Sequence, residues 1–244
     1  MCLGSSVMAG EGLATPATQN YAALFIAENT EYVYVDRCIG GNTSQVGYNR
    51  FVNDVLSQNP ELVWLGFSPN NNSVYNGTTA LAIDTAMIAF DKFLTKLVAL
   101  CEHKKIPYLI SGMYPRGSTT AQAYSAVKKF NTMLAEKYGA KYINFYGLLD
   151  SGTGTLIPAL AQADYIHPTS SGQTIMKNAI VPALFDYLNR AAVITPKFNL
   201  KNGIKLGSDT TTLRPIKNYT IDGTIRSQGS VALSCKNPFI IMSQ

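Results

Sequence analysis

The feature that most constrains the fold is an alternation of short β-branched or aromatic runs with longer stretches of helical period. Runs of this kind predict strands over 1–4, 31–37 (EYVYVDR), 62–67 (LVWLGF), 106–111 (IPYLIS) and 141–145 (KYINF). Between the third and fourth runs, Ile83, Met87, Phe90, Leu94, Leu97 and Cys101 recur at spacings of four and three, which makes one apolar helix stripe. Ala123, Val127, Phe130 and Leu134 repeat that pattern after the fourth run. Thr15 followed by Pro16 predicts the cap and first turn of an earlier helix. A last helix is expected over about 171–188, kinked or split at Pro182. Strand and helix in alternation specify a three-layer α/β/α fold with a mostly parallel five-stranded sheet. The α/β domain is expected to span 1–194. Past Pro196 the sequence turns to Thr, Gly, Asn and short apolar alternations such as YTIDGTI, which predicts a small β-rich C-terminal appendage over 195–244.

Length and composition narrow the class further. A chain of 244 residues can bury a full core without disulfide staples. No apolar run approaches the ~20 residues of a membrane helix, so a soluble protein is expected. The opening MCLGSSVMAGEG lacks a basic segment followed by a long apolar one, so it does not read as a secretory signal. The compartment stays open between the cytoplasm and, for part of a larger protein, the outside of the cell. The first expected strand has only about four residues, as it would if an upstream segment were missing.

The net charge of +5 sits in the tail, because residues 197–244 carry seven Lys/Arg against Asp209 and Asp222. These charges are dispersed and lack an aromatic platform, so no nucleic-acid partner is expected. The four cysteines, Cys2, Cys38, Cys101 and Cys235, form no C-x-x-C pair and have no second His beside them, so no metal and no cofactor is expected. Buried free thiols are the default. Cys2 and Cys38 lie at the ends of expected strands and are candidate neighbours.

The chemistry-bearing residues fall in loops at the expected strand C-termini, the edge at which this architecture binds ligands. Gly4-Ser5-Ser6-Val7 forms a tight turn towards a helix, which can expose a serine hydroxyl and aim backbone N–H groups at it. Alone, such a turn is common loop filler. Asp164-Tyr165-Ile166-His167-Pro168 supplies what a serine nucleophile requires: a base to take its proton and a carboxylate to hold that base. The other histidine, His103, lies at a helix C-terminus, where a cation needs no catalytic explanation. Donors for an oxyanion are available in CIGGNT after the second strand and FSPNNN after the third. Either could equally be a plain turn.

Taken together and in order, these blocks resemble those of the SGNH hydrolases, also called GDSL-type esterases and lipases, over residues 1–190. The family's Gly-Asp-Ser reads Gly4-Ser5-Ser6 here, with Ser5 in place of the aspartate. Gly41 matches the glycine of the second block, and Asp164 and His167 match the last block without change. The third block is the loosest match, with Ser68 for glycine and Asn71 for aspartate; Asn70 takes the amide position, and Asn71 or Asn72 would do so in a shifted register. The resemblance implies a flavodoxin-like sheet, a catalytic trio of Ser6, Asp164 and His167, and an oxyanion hole from the Ser6 and Gly41 N–H groups and the Asn70 amide. Tyr114 and Arg116, in the MYPR loop, are expected to help line the substrate pocket. No G-x-S-x-G elbow of the α/β-hydrolase kind is present.

The expected function is therefore serine-dependent hydrolysis of a carboxylic ester. Within that class, removal of acetyl groups from a carbohydrate is favoured by the lack of a long apolar lid and by the β-rich appendage. Lysophospholipase or thioesterase chemistry is the alternative within the class. Outside it stands a catalytically inactive binding or structural module of a larger surface or fibre protein. Oligomeric state is not readable.

Overall fold

The structure is a computed structural model, and it describes residues 1–117, 119–181 and 184. The expected β-rich appendage over 195–244 and the second half of the last expected helix lie outside the described residues. In chain order, the elements are β1 (Cys2–Gly4), α1 (Ser6–Ala9), α2 (Pro16–Gln19), α3 (Tyr21–Ala27), α4 (Ser44–Asp54), β2 (Val63–Gly66), α5 (Ala80–His103), β3 (Tyr108–Ser111), α6 (Ala121–Tyr138), β4 (Tyr142–Ile143), α7 (Tyr146–Leu149) and α8 (Ser170–Asn178), joined by short 3₁₀ turns.

All pairings within the sheet are parallel, and the strands lie side by side in the order β1-β2-β3-β4. Every strand residue is buried, as a parallel sheet with helices on both faces requires. The pleat divides the core by alternate residues. Leu3, Val63, Leu65, Tyr108, Ile110 and Tyr142 join one cluster with the buried faces of α4, α5 and α6. Cys2, Trp64, Leu109 and Ile143 join the other, with α1, α3 and α8. The stripe from Ile83 to Cys101 and that from Ala123 to Leu134 are both buried as expected. Threonine side chains cap α4, α5, α6 and α8.

Among the described residues four strands form rather than five. The 31–37 segment reaches β1 only through an isolated bridge, Cys2 to Asp36. Cys2 N–H donates to the Val35 carbonyl at 2.9 Å and Arg37 N–H to the Cys2 carbonyl at 2.8 Å. In this register residues 31–34 run past the start of β1 and meet no strand; Val33 is 83% exposed. The bridged segment still lies outside β1, while β2 lies on the inner side, so the chain order is that of a flavodoxin-like doubly wound sheet with its switch point at β1.

The expected early helix opens at Pro16 with Thr15 in the N-cap position, though the Thr15 side chain makes no capping bond. It closes after Gln19, because Asn20 adopts an extended backbone and caps α3 by accepting the Ala23 N–H at 2.8 Å. Helix α8 ends at Asn178, before Pro182, and Leu184 beyond that proline is again helical. Cys2, Cys38 and Cys101 are free thiols. Burial, followed by the charges of Cys2 and Asp36, pushes the Cys38 thiol well up, while burial takes Cys2 to about 12. Among the described residues no helix is long and apolar enough to cross a membrane.

Candidate active site

The Ser6 turn exists because two glycines let α1 lie on the sheet. A side chain at Gly66 would meet the Met8 sulfur at 2.1 Å, and one at Gly4 would meet the Gly66 carbonyl oxygen at 2.5 Å. Ser5 N–H donates to that same Gly66 oxygen at 3.0 Å, so the chain turns sharply out of β1 and places Ser6 at the first position of α1. The Ser6 N–H has no partner among the described residues, as the first N–H of a helix should not. Ser6 itself is 7% exposed. Ser5 is buried, and its hydroxyl has no partner among the described residues.

The second loop reaches the same edge. Ile39 N–H donates to the Gly4 carbonyl at 3.1 Å, and Gly41 follows in the left-handed region at φ +75°, exposed and with no acceptor for its N–H among the described residues. Arg50 anchors this loop from α4: it donates to Asn42 Oδ1 at 2.8 Å and the Arg37 carbonyl at 2.7 Å, and pairs with Asp54 at 2.8 Å.

The third loop is a 3₁₀ turn over Pro69–Asn72, opened by Ser68, whose hydroxyl accepts the Asn70 N–H. Asn71 Nδ2 donates to the Asn42 carbonyl at 3.0 Å and joins the second and third loops. Asn70 Nδ2 donates to the Tyr114 hydroxyl at 3.0 Å, while Asn70 Oδ1 is buried without a partner. Exchanging the two ends of this amide would let Tyr114 donate to the oxygen and leave the amide N–H groups for an incoming anion. Tyr114 is 3% exposed, and burial above all pushes its hydroxyl up to about 12, against the lowering bonds from Ser68 and Asn70. Its carbonyl accepts the Tyr75 hydroxyl at 2.8 Å.

The fourth loop holds His167 and Asp164. His167 Nδ1 lies 2.5 Å from Asp164 Oδ2, and Asp164 Oδ1 accepts the N–H groups of Ile166 at 2.8 Å and His167 at 3.0 Å. Burial alone would raise the Asp164 carboxyl. The bonds from His167 and from the two N–H groups outweigh it and hold the group below the usual carboxylate range. Tyr165, between them, takes the left-handed region at φ +56°, uncommon for a residue with a side chain. Gly117 N–H bonds its carbonyl at 2.5 Å, which docks the MYPR loop on the Asp164–His167 turn.

Two glutamines bind the first and last loops together, and neither stood out in the sequence. Gln162 Nε2 donates to the Glu11 and Pro168 carbonyls, both at 2.9 Å, and its N–H donates to the His167 carbonyl at 2.8 Å. Gln173, 1% exposed on α8, donates to the Val7 carbonyl at 3.1 Å and accepts the Tyr21 N–H at 2.9 Å. The structure thus brings the loops of Ser6, Gly41, Asn70, Tyr114, Arg116 and His167 to one edge. Among the described residues no hydrogen bond joins Ser6 Oγ to His167, a looseness common in sites without ligand. A cavity of about 470 Å³ opens at the opposite edge, lined by Met1, Tyr32, Tyr34, Glu61 and Trp64 among others. Its volume is the larger, but none of the residues of the Ser6–His167 edge lines it.

A family model described as "GDSL-like Lipase/Acylhydrolase family" matches residues 2–175. The chain belongs to this family. As a GDSL-like acylhydrolase it shares its fold with several solved structures. One is a putative acylhydrolase from Bacteroides fragilis, at 24% identity and TM-score 0.58, covering 77% of this chain and 86% of that one. TesA aligns at 20% identity and TM-score 0.60, covering 77% of this chain and 98% of its own. A catalytic mutant of Axe2, an acetylxylan esterase from Geobacillus stearothermophilus, aligns at 19% identity and TM-score 0.55, covering 73% and 90%. At these identities the likeness shows the fold alone. No curated protein sequence matches the chain.

Proposed function

We propose that this acylhydrolase is a serine esterase that removes short acyl groups, acetyl first among them, from a carbohydrate. The observation that carries the reading is the His167–Asp164 pair, tied through Gln162 and Gln173 to the turn that presents Ser6 beside unengaged N–H donors. Asp164 fixes His167 with Nδ1 bonded and Nε2 free to act as base. Ser6 Oγ attacks the ester carbonyl carbon as its proton passes to His167. The oxyanion that forms is held by the Ser6 and Gly41 N–H groups and the Asn70 amide, each such donor being worth about 3–4 kcal/mol. Collapse expels the alcohol, which takes the proton from His167. Water, deprotonated in turn by His167, then releases the acid and restores Ser6.

One likeness bears on the acyl group. The acetylxylan esterase among the fold relatives acts on an acetylated glycan, whereas the likeness to TesA leaves acyl hydrolysis of other kinds as the rival. Hydrolysis of p-nitrophenyl acetate, butyrate and octanoate by wild type and Ser6→Ala tests the reading. Turnover falling with chain length and abolished in Ser6→Ala is expected. Equal inertness of both proteins on every ester would instead favour an inactive module.

A further inference from the structure

We propose that Arg116 forms an anion subsite, so that the sugar ester taken by this site carries a carboxylate; the choice of a sugar ester rests on the esterase reading above. Among the described residues Arg116 is the one arginine without a hydrogen bond or ion pair. Arg50 makes three such contacts, and Arg37 donates to the Asp36 carbonyl. Arg116 Nε is buried with no acceptor, an arrangement that costs free energy for a group that cannot shed its charge.

Its place is fixed from three sides. The guanidinium lies 5.9 Å from the centre of the Tyr75 ring, and Tyr75 in turn bonds the Tyr114 carbonyl. Two residues before it, the Tyr114 hydroxyl meets the Asn70 amide; one residue after it, Gly117 holds Tyr165 between Asp164 and His167. Arg116 therefore stands on the site's rim, between the oxyanion amide and the base. Among the described residues no ion pair joins it to Asp164, whose carboxylate pairs with His167.

A planar fork of donors held on an aromatic ring suits a carboxylate, which it can grip with two parallel hydrogen bonds. A phosphate would call for further positive charge, and neither the 113–117 nor the 164–168 segment offers another Lys or Arg. The anionic group would sit on the part of the substrate that projects over the rim, away from the scissile acetyl.

A matched pair of substrates tests this: an O-acetylated methyl glucuronoside and the corresponding O-acetylated methyl glucoside, which differ only in a carboxylate against a hydroxymethyl group. Wild type should favour the uronide in kcat/KM by about 10- to 100-fold, the range for a hydrogen bond to a charged group. Arg116→Gln should bring the ratio near one, and Arg116→Lys should restore only part of it. A second arm needs no turnover: calorimetric binding of unacetylated methyl glucuronoside to Ser6→Ala and to Ser6→Ala/Arg116→Gln, with affinity about tenfold or more weaker in the latter. An Arg116-dependent affinity in a protein that hydrolyses no ester would sink the esterase reading and keep the subsite. Turnover or binding indifferent to the carboxylate, or to Arg116, overturns the subsite.

Discussion

Tyr114→Phe removes one hydroxyl from the site and leaves the ring in place. That hydroxyl is buried and lies 3.0 Å from Asn70 Nδ2, the only hydrogen-bond partner of the amide side chain among the described residues. If Asn70 holds the oxyanion, Tyr114 acts through it as a positioning residue. Full loss of one oxyanion donor costs about 3–4 kcal/mol. An amide that keeps its place but loses its orientation should forfeit part of that, about 1–2 kcal/mol, or roughly 5- to 30-fold in kcat. KM should change little, since the ground-state ester does not carry the charge. The variant should also lose about 1–3 kcal/mol of stability in urea unfolding, because one polar group of the buried amide is left unpaired. The decisive assay is a double-mutant cycle on p-nitrophenyl acetate. Tyr114→Phe combined with Asn70→Ala should be no slower than Asn70→Ala alone. Additive losses, or a wild-type kcat in Tyr114→Phe, would refute the coupling.

Asp164→Asn should keep the turn but no longer hold His167 as base, with kcat falling roughly 10³- to 10⁴-fold on the same ester. Because the folded Asp164 carboxyl lies below its unfolded value, its contribution to stability is present above the usual carboxylate range and is lost as the pH falls through the folded value. Wild type should then lose Tm more steeply than Asp164→Asn on titration below about pH 4, and parallel curves would contradict the assignment. Gln173→Leu leaves the buried Tyr21 N–H without its partner and the Val7 carbonyl with the Gly10 N–H alone. It should destabilise by roughly 1–3 kcal/mol in urea unfolding, and a loss under about 0.5 kcal/mol would show that α8 is held by other means.

Much of this fold is readable from periodicity. The apolar stripes of α5 and α6 and the runs LVWLGF and IPYLIS each have a single way of burying their residues, so the layers follow. The edge is where periodicity fails. EYVYVDR alternates like a strand, but its pairing depends on how far β1 extends beside it, which its own residues do not encode. The end of the helix opening at Thr15 is hidden for a similar reason, since Asn20 can sit inside a helix or cap one, and here the buried cap prevails. For the site, the reactive residue types and their order were visible, whereas the contacts that bring them together were not. Gln162 and Gln173 bond to residues 151 and 166 positions away, and a glutamine in a loop or on a helix carries no mark of such a partner. Tyr114 was readable as a pocket residue, but its bond to Asn70 required the third loop and the MYPR loop to be placed in space.

The central claim is that Ser6 is a nucleophile activated at this edge. Incubation with a fluorophosphonate, followed by digestion and mass mapping of the adduct, tests it without any choice of substrate. The account predicts one equivalent of label, on Ser6, lost in His167→Ala as well as in Ser6→Ala. Label on another residue, or none on a folded protein, would contradict it.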